Sequence, residues 1–288
     1  MRLSQTGYIR AMAQRFGIDA SKAPSTPLPP GIKLSQFDED EPLQCPTEFR
    51  SIVGSLMYAV HCTRCDCAQA VHALSRYLHA PRQQHVTLAK GVVAYLLRFD
   101  EIGLTYNGMT PQPLVGYSDA DWAGDVSTRR STSGFVFLKN GAAVSWSSSL
   151  QKTVAHSTSD AEYRALSESG RECAFLRNLE RILMSAPVLD PTVIFEDNKG
   201  AKKWSEDPSH HSKTKHIDIC FHSIREQVGK TINVLYCQTK KMLADPFTKP
   251  LAAPDFWGLF KSIFGSSEKS EKINRSSRGD DRTTVSGT

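Results

Sequence analysis

The sequence predicts an α/β fold, an open mixed sheet with flanking helices, preceded by a small all-helical region. Three observations predict it. Between Pro46 and Asp100 apolar residues recur at helical spacing in three successive stripes. After Gly103 the period shortens to that of strands, with the dipeptide Asn140-Gly141 joining two of them. From Ser157 onward a long helical stretch is followed by alternating strand and helix signals.

Each element has its own local reason. Residues 3–17 read as a short helix: Ser4 is placed to cap it, Tyr8, Met12 and Phe16 recur on one face, and Gly17 suits its end. From Ala20 to Pro46 the pattern dissolves among Pro24, Pro27, Pro29, Pro30 and an acidic run, which reads as a linker or surface loop. Phe49, Ile52, Val53, Leu56, Met57 and Val60 then form one helical stripe. Cys67, Ala70, Val71, Leu74 and Leu78 form a second, and Leu88, Val92, Tyr95 and Leu96 a third. Between the first two lies His61-Cys-Thr-Arg-Cys-Asp-Cys67. Cys62 and Cys65 have zinc-knuckle spacing, but no second ligand pair stands at a suitable distance, so these cysteines read as free thiols.

Val115-Gly-Tyr-Ser-Asp119 is the first strand, Gly134–Leu138 the second and Ala142–Trp146 the third; the hairpin turn makes them antiparallel. A long helix follows, capped by Ser157 or Thr158, with Ala161, Ala165, Leu166, Cys173, Leu176, Leu179 and Leu183 as its apolar face and Pro187 closing it. Thr192–Asp197 is a strand ending in a carboxylate, and a helix runs through Trp204. A helix over roughly 215–228 leads to the strand Thr231–Tyr236, and Asp245 sits on a short helical turn broken by Pro246.

Composition narrows the function. A chain of 288 residues with 40% apolar residues is long enough for one large domain or two modest ones. The net charge of +5 permits contact with a polyanion without demanding it, though the stretch from Asn198 to Pro250 is distinctly basic and holds His210-His-Ser-Lys-Thr-Lys-His216. Seven irregularly spaced cysteines and no apolar run at the start argue against a secreted disulfide scaffold and for a reducing compartment, cytoplasmic or nuclear. No apolar run approaches the roughly 20 residues of a membrane span, so no membrane partner is expected.

The chemistry lies in carboxylates at element ends: Asp119 on the first strand, Glu162 at the start of the long helix, Asp197 at the end of the fourth strand and Asp245 in the last turn. In an open mixed sheet such places converge on one edge. Clustered carboxylates repel unless cations neutralise them, and hard oxygen ligands suit Mg2+ or Mn2+. Two such ions roughly 3.5–4 Å apart are the arrangement that hydrolyses a phosphodiester. Spacing alone leaves rivals open: Asp121 and Asp125 compete with Asp119, Glu196 competes with Asp197, and Glu162 stands where a helix start favours acid anyway.

Several ordered motifs carry a resemblance. Gly116-Tyr-Ser-Asp-Ala-Asp-Trp-Ala-Gly-Asp125, Arg130-Ser-Thr-Ser-Gly-Phe135, Ser157-Thr-Ser-Asp-Ala-Glu-Tyr-Arg-Ala-Leu166, Glu196-Asp-Asn198, Lys213-Thr-Lys-His-Ile-Asp218 and Ala244-Asp-Pro-Phe-Thr-Lys-Pro-Leu251 resemble the ribonuclease H region of copia-type LTR retrotransposon polyproteins. Upstream, Tyr8-Ile through Phe16-Gly, Ser25-Thr-Pro27, Phe49-Arg-Ser-Ile-Val-Gly-Ser-Leu-Met-Tyr58 and Ala73-Leu-Ser-Arg-Tyr77 resemble the tail of the reverse transcriptase in the same polyproteins. The resemblance implies a ribonuclease H-like five-stranded mixed sheet over residues 106–264, a helical reverse-transcriptase remnant over 1–105 with 20–46 linker-like, and a disordered tail over 265–288. It implies cleavage of the RNA strand of an RNA:DNA hybrid with two Mg2+ or Mn2+ ions held by Asp119, Glu162, Asp197 and Asp245, and so ranks Asp119 above Asp121. The remainder of a reverse transcriptase is the other implied partner; Lys215 and His216 match a family motif without an assignable chemical role.

Departures from the family pattern are Cys65 and Cys67 at the helix junction, Asp160 where Glu is common, and Pro246 after the last Asp. None removes a matched carboxylate. The polymerase Asp-Asp motif, fingers and most of the palm have no counterpart here, so DNA synthesis is not expected. A second reading is a catalytically idle or redeployed fragment that binds nucleic acid or is directed at a host; salt-dependent hybrid binding without turnover separates it from the nuclease.

Overall fold

In the computed structural model, which describes residues 1–37, 39–108, 111–185, 188–206 and 223–265, the helical region packs against a mixed sheet. The expected three stripes are the helices α2 (Thr47–Cys62), α3 (Ala68–Ser75) and α4 (Gln83–Arg98); Leu78 lies beyond the end of α3. The opening of the chain differs from expectation. Arg2–Ser4 is a strand, β1, paired antiparallel with β2 (Gly103–Thr105), and the first helix, α1, spans Thr6–Arg15. Ser4 therefore caps nothing; its backbone is engaged by a partner 99 residues away, which no local pattern announces. Gly17 closes the segment with φ +63, as its position suggested.

Residues 20–46 are irregular apart from one 3-10 turn (Leu34–Phe37), but they are packed: Leu28 and Leu34 belong to the core. Trp257 Nε1 donates to the Ser25 carbonyl at 3.0 Å, and Lys33 reaches the Gly124 carbonyl at 3.2 Å.

The large sheet comprises β3 (Val115–Asp121), β4 (Thr132–Lys139), β5 (Ala142–Leu150), β6 (Thr192–Glu196) and β7 (Ile232–Tyr236), in the order β5-β4-β3-β6-β7. The first three are antiparallel neighbours; β6 runs parallel to β3, and β7 parallel to β6. That is the ribonuclease H-like mixed sheet expected from the sequence. The long helix α5 (Thr158–Met184) lies between β5 and β6 in the chain, α6 (Lys199–Glu206) and α7 (Ser223–Gln227) precede β7, and α8 (Ala253–Phe264) ends the described chain. The helix α8 has no counterpart among the elements expected from the sequence.

Both faces of the sheet are covered, which is why β4 reads as a continuous apolar run rather than an alternating one. Phe135 and Phe137 join Tyr163, Leu166, Ile194 and Val234 in the core under α5. Val136, pointing the other way, joins a larger core with Phe49, Leu56, Tyr95, Phe260 and Ile263. The N-terminal helices, the sheet and α8 thus bury one another. Hydrogen bonds cross the same boundary: Trp146 Nε1 donates to the Val60 carbonyl at 3.1 Å, and the Leu150 N–H to His72 Nε2 at 3.1 Å.

The last turns of α5 are not covered as its periodicity suggested. Leu179 is 40% and Leu183 72% exposed, beside exposed Phe175, Ile182 and Met184. Cys65 and Cys67 are buried, and burial pushes both thiols well above their usual range, while Cys62 is exposed. Among the described residues no helix is long and apolar enough to cross a membrane. Pro187, most of the helix expected over 215–228, the 210–216 cluster with Lys215 and His216, and the tail from 266 lie outside the described residues.

Candidate metal centre

Strand register builds the site. Because β3 and β6 are parallel, their carboxyl ends reach the same edge, and Tyr117 pairs with Phe195. Two residues further along each chain stand Asp119 and Asp197, so the two carboxylates leave the sheet side by side. Glu162 comes from the first turns of α5, whose start is fixed by the Ser157 cap and by a hydrogen bond to the residue before it. Ser157 Oγ accepts from the Asp160 N–H at 3.2 Å, and Asp160 Oδ2 accepts from the His156 N–H at 2.9 Å. Asp160, the departure from the family's usual Glu, also takes a two-armed ion pair from Arg164 at 2.7 and 3.1 Å.

Asp119, Glu162 and Asp197 each place a carboxylate oxygen within 4.8 Å of the other two. Asp119 and Glu162 are buried, and Asp197 is partly exposed at the open side. Burial, then the nearby charge of Asp245, pushes the Asp119 carboxyl up to about 7, against a hydrogen bond from Thr248 that favours its ionised form. Burial, then Glu196, Asp119 and Asp197, pushes the Glu162 carboxyl up to about 12. Glu162 Oε2 is buried without a hydrogen-bond partner. A buried, unpaired acceptor among repelling carboxylates is a place that a hard cation stabilises, and the donor set of oxygens suits Mg2+, Mn2+ or Ca2+.

Asp245 stands apart from this trio. It begins a 3-10 turn (Asp245–Phe247) containing Pro246, and its Oδ1 lies 2.5 Å from Lys249 Nζ. Its charge still acts on Asp119, so it flanks the cluster with an internal cation attached. Pro246 is at a position in the turn where a missing N–H costs nothing, and it does not displace Asp245 from the site's edge.

The rivals separate. Asp121 is outside the trio; burial raises its carboxyl, opposed by Lys33 and Lys249. Asp125 is held by Arg76 at 2.6 Å and by Ser127 at 3.1 Å, which ties the β3–β4 loop to α3. Glu196, one residue before Asp197, alternates to the face under α5 and is fully buried. Burial pushes its carboxyl well up; Oε1 accepts from the Asn198 N–H at 3.0 Å and Oε2 has no partner. Glu196 is thus not a rival of Asp197 but a buried neighbour of Glu162, as the alternation of β6 signals. Two hydroxyls were missed altogether: Thr239 donates to Asp197 Oδ2 at 2.7 Å, and Thr248 to Asp119 Oδ2 at 2.7 Å.

No family model matches the chain. The chain is similar to the retrovirus-related Pol polyprotein from transposon TNT 1-94 of Nicotiana tabacum, 39% identical over 91% of this chain and 20% of the polyprotein. The Pol polyprotein from transposon RE1 of Arabidopsis thaliana is 37% identical over 91% of this chain and 18% of its own length. The chain therefore spans about a fifth of the length of these curated relatives. A shorter relative, secreted RxLR effector protein 161 of Plasmopara viticola, is 47% identical over 44% of this chain and 90% of the effector. Among solved structures, LC11-RNase H1 in complex with an RNA/DNA hybrid aligns with 47% of this chain and 94% of its own at 16% identity and a TM-score of 0.33. A score that low bears on nothing beyond general likeness; the strand order described above defines the fold.

Proposed function

The chain belongs to the copia-type retrotransposon Pol polyproteins, and from that premise we propose that it is their ribonuclease H part, an endonuclease that cuts the RNA strand of an RNA:DNA hybrid by two-metal hydrolysis. The observation that carries the reading is the convergence of Asp119, Glu162 and Asp197, from three separate elements, to within 4.8 Å, with a buried Glu162 oxygen left unpaired. Asp119, Glu162 and Asp197 would hold the first Mg2+ or Mn2+, and Asp245 with Asp119 the second. When bound, such ions supply an activated water and stabilise the leaving oxygen of the phosphodiester.

The chain's own residues do the rest. The capped start of α5 sets Glu162 against the sheet with its side chain buried. Asp197, the more exposed of the three, stands on the side a hybrid must approach. Lys249, drawn into the site by Asp245, Asp119 and Asp121, and Lys33 beside Asp121 offset the repulsion between carboxylates and a phosphate backbone. The helical region over residues 1–105 would continue into the remainder of a reverse transcriptase.

Incubation of the full chain with a hybrid labelled on its RNA strand tests the reading. Short RNA products should form in Mg2+ or Mn2+ and cease on chelation; an intact RNA strand in both metals would refute it. A second reading is a fragment that binds nucleic acid or a host partner without turnover; the effector relative bears on its host-directed form alone. Hybrid binding that weakens steeply with salt, with no cleavage in either metal, would select it.

A further inference from the structure

The antiparallel ladder places Gly134 directly opposite Asp119. A Cβ on Gly134 would stand 2.8 Å from Thr248 Cγ2 and 2.9 Å from Phe247 Cβ, so the turn after Asp245 occupies the space where β4 has no side chain. Thr248 is 2% exposed there. Its backbone N–H already closes the turn on the Asp245 carbonyl at 3.1 Å. Its hydroxyl lies 2.7 Å from Asp119 Oδ2 and 2.9 Å from that same carbonyl. One hydroxyl proton serves one acceptor well, and the carboxylate is the stronger acceptor. That hydrogen bond to Asp119 comes from the turn that also carries Asp245.

We propose that Thr248 is a positioning residue for the metal centre: its hydroxyl fixes the Asp119 carboxylate for the cation, and Gly134 is small because Thr248 must reach past it. This rests on the metal-centre reading above. Ligating carboxylates are commonly oriented by such a second hydrogen bond, and its loss weakens metal affinity roughly 10–100-fold. A valine at position 248 keeps the volume and removes the donor; a serine keeps the donor and removes the methyl.

Mn2+ binding to the full chain, read by the loss of the free-ion electron paramagnetic resonance signal, provides the test without any turnover. Wild type should bind, Thr248→Val should bind about 10-fold more weakly or worse, and Thr248→Ser should stay within about 3-fold of wild type. Gly134→Ala, which pushes the turn outward, should weaken binding as well. Should Thr248→Val lose its native thermal transition, Thr248→Ala carries the same expectation without the branched side chain. Wild-type affinity in Thr248→Val or Thr248→Ala would overturn the inference, as would an equal loss in Thr248→Ser, which would assign the effect to packing. If wild type itself binds no Mn2+, the metal-centre reading fails and this inference fails with it.

Discussion

Asp119 and Glu162 are carboxyls whose surroundings oppose ionisation, and this makes the protein's stability depend on pH and metal together. Their folded values, about 7 and about 12, lie above their ordinary values of 3.8 and 4.5. A carboxyl raised in this way stabilises the fold while protonated, fully so below its ordinary value, and the contribution fades as pH rises through the folded value. The metal-free chain should therefore lose thermal stability between pH 5 and pH 8, with Asp119 titrating inside that window. Added Mn2+ should raise the midpoint more at pH 8 than at pH 5, where protons compete for the same oxygens. Thermal melts of wild type and Asp119→Asn check this: the substitution should flatten the decline, and an unchanged slope would contradict the assignment. Strand ends and a helix start made the trio candidates, but a helix start favours acid at Glu162 anyway, and it was the resemblance that ranked them. Asp119 could not be told from Asp121 by alternation, since both share a face. Thr248 has no signal of its own in the sequence for a different reason: its importance depends on what another element places opposite it.

At the scale of elements, the junction between α2 and α3 is held by a buried ion pair and not by its cysteines, which are free thiols as expected. The short 3-10 turn Cys65–Cys67 is organised by Asp66, not by its thiols. Arg64 donates to both Asp66 oxygens at 3.0 and 2.7 Å and to the Phe99 carbonyl at 3.0 Å, and Tyr95 donates to Asp66 Oδ2 at 2.7 Å. Both charged side chains are fully buried. Asp66→Ala leaves a buried guanidinium without its counter-charge and should cost about 3–5 kcal/mol, measured by urea unfolding; a loss below about 1 kcal/mol would show that water or another acid replaces it. Elements with strong local codes were read well: the Asn140-Gly141 hairpin forms, with both residues at positive φ, and Ser157 caps α5. Those missed depend on distant partners. β1 exists because β2 lies beside it, and residues 20–46 are ordered by α8 and the core although their prolines forbid regular structure.

For the molecule as a whole, the division at residue 105 runs through a shared core. Trp257 of α8 stacks on Tyr95 with ring centres 6.1 Å apart and packs at 4.9 Å against Phe99, both from the helical region. Val136 and Ala143 of the sheet lie in the same cluster. The two parts should unfold in one cooperative transition, and a chain cut to residues 106–265 should expose the apolar side of α8, bind a hydrophobic dye and melt lower than the full chain. Two separate transitions would mean that the helical part is dispensable. The sequence motifs suggest a boundary near residue 105 but not the packing across it, because burial at Val136 and Trp257 is decided by residues more than 30 positions away.

If this carboxylate cluster holds the ions that cut RNA, Asp197 is indispensable to cleavage. Asp197→Asn replaces a partly exposed carboxylate of the cluster by a near-isostere, removing a charge with little change in volume. With the full chain and a labelled RNA:DNA hybrid in Mn2+, wild type should release short RNA fragments. Asp197→Asn, melting like wild type in the absence of metal, should release none above the metal-free background. Equal cleavage by the two proteins would contradict the account.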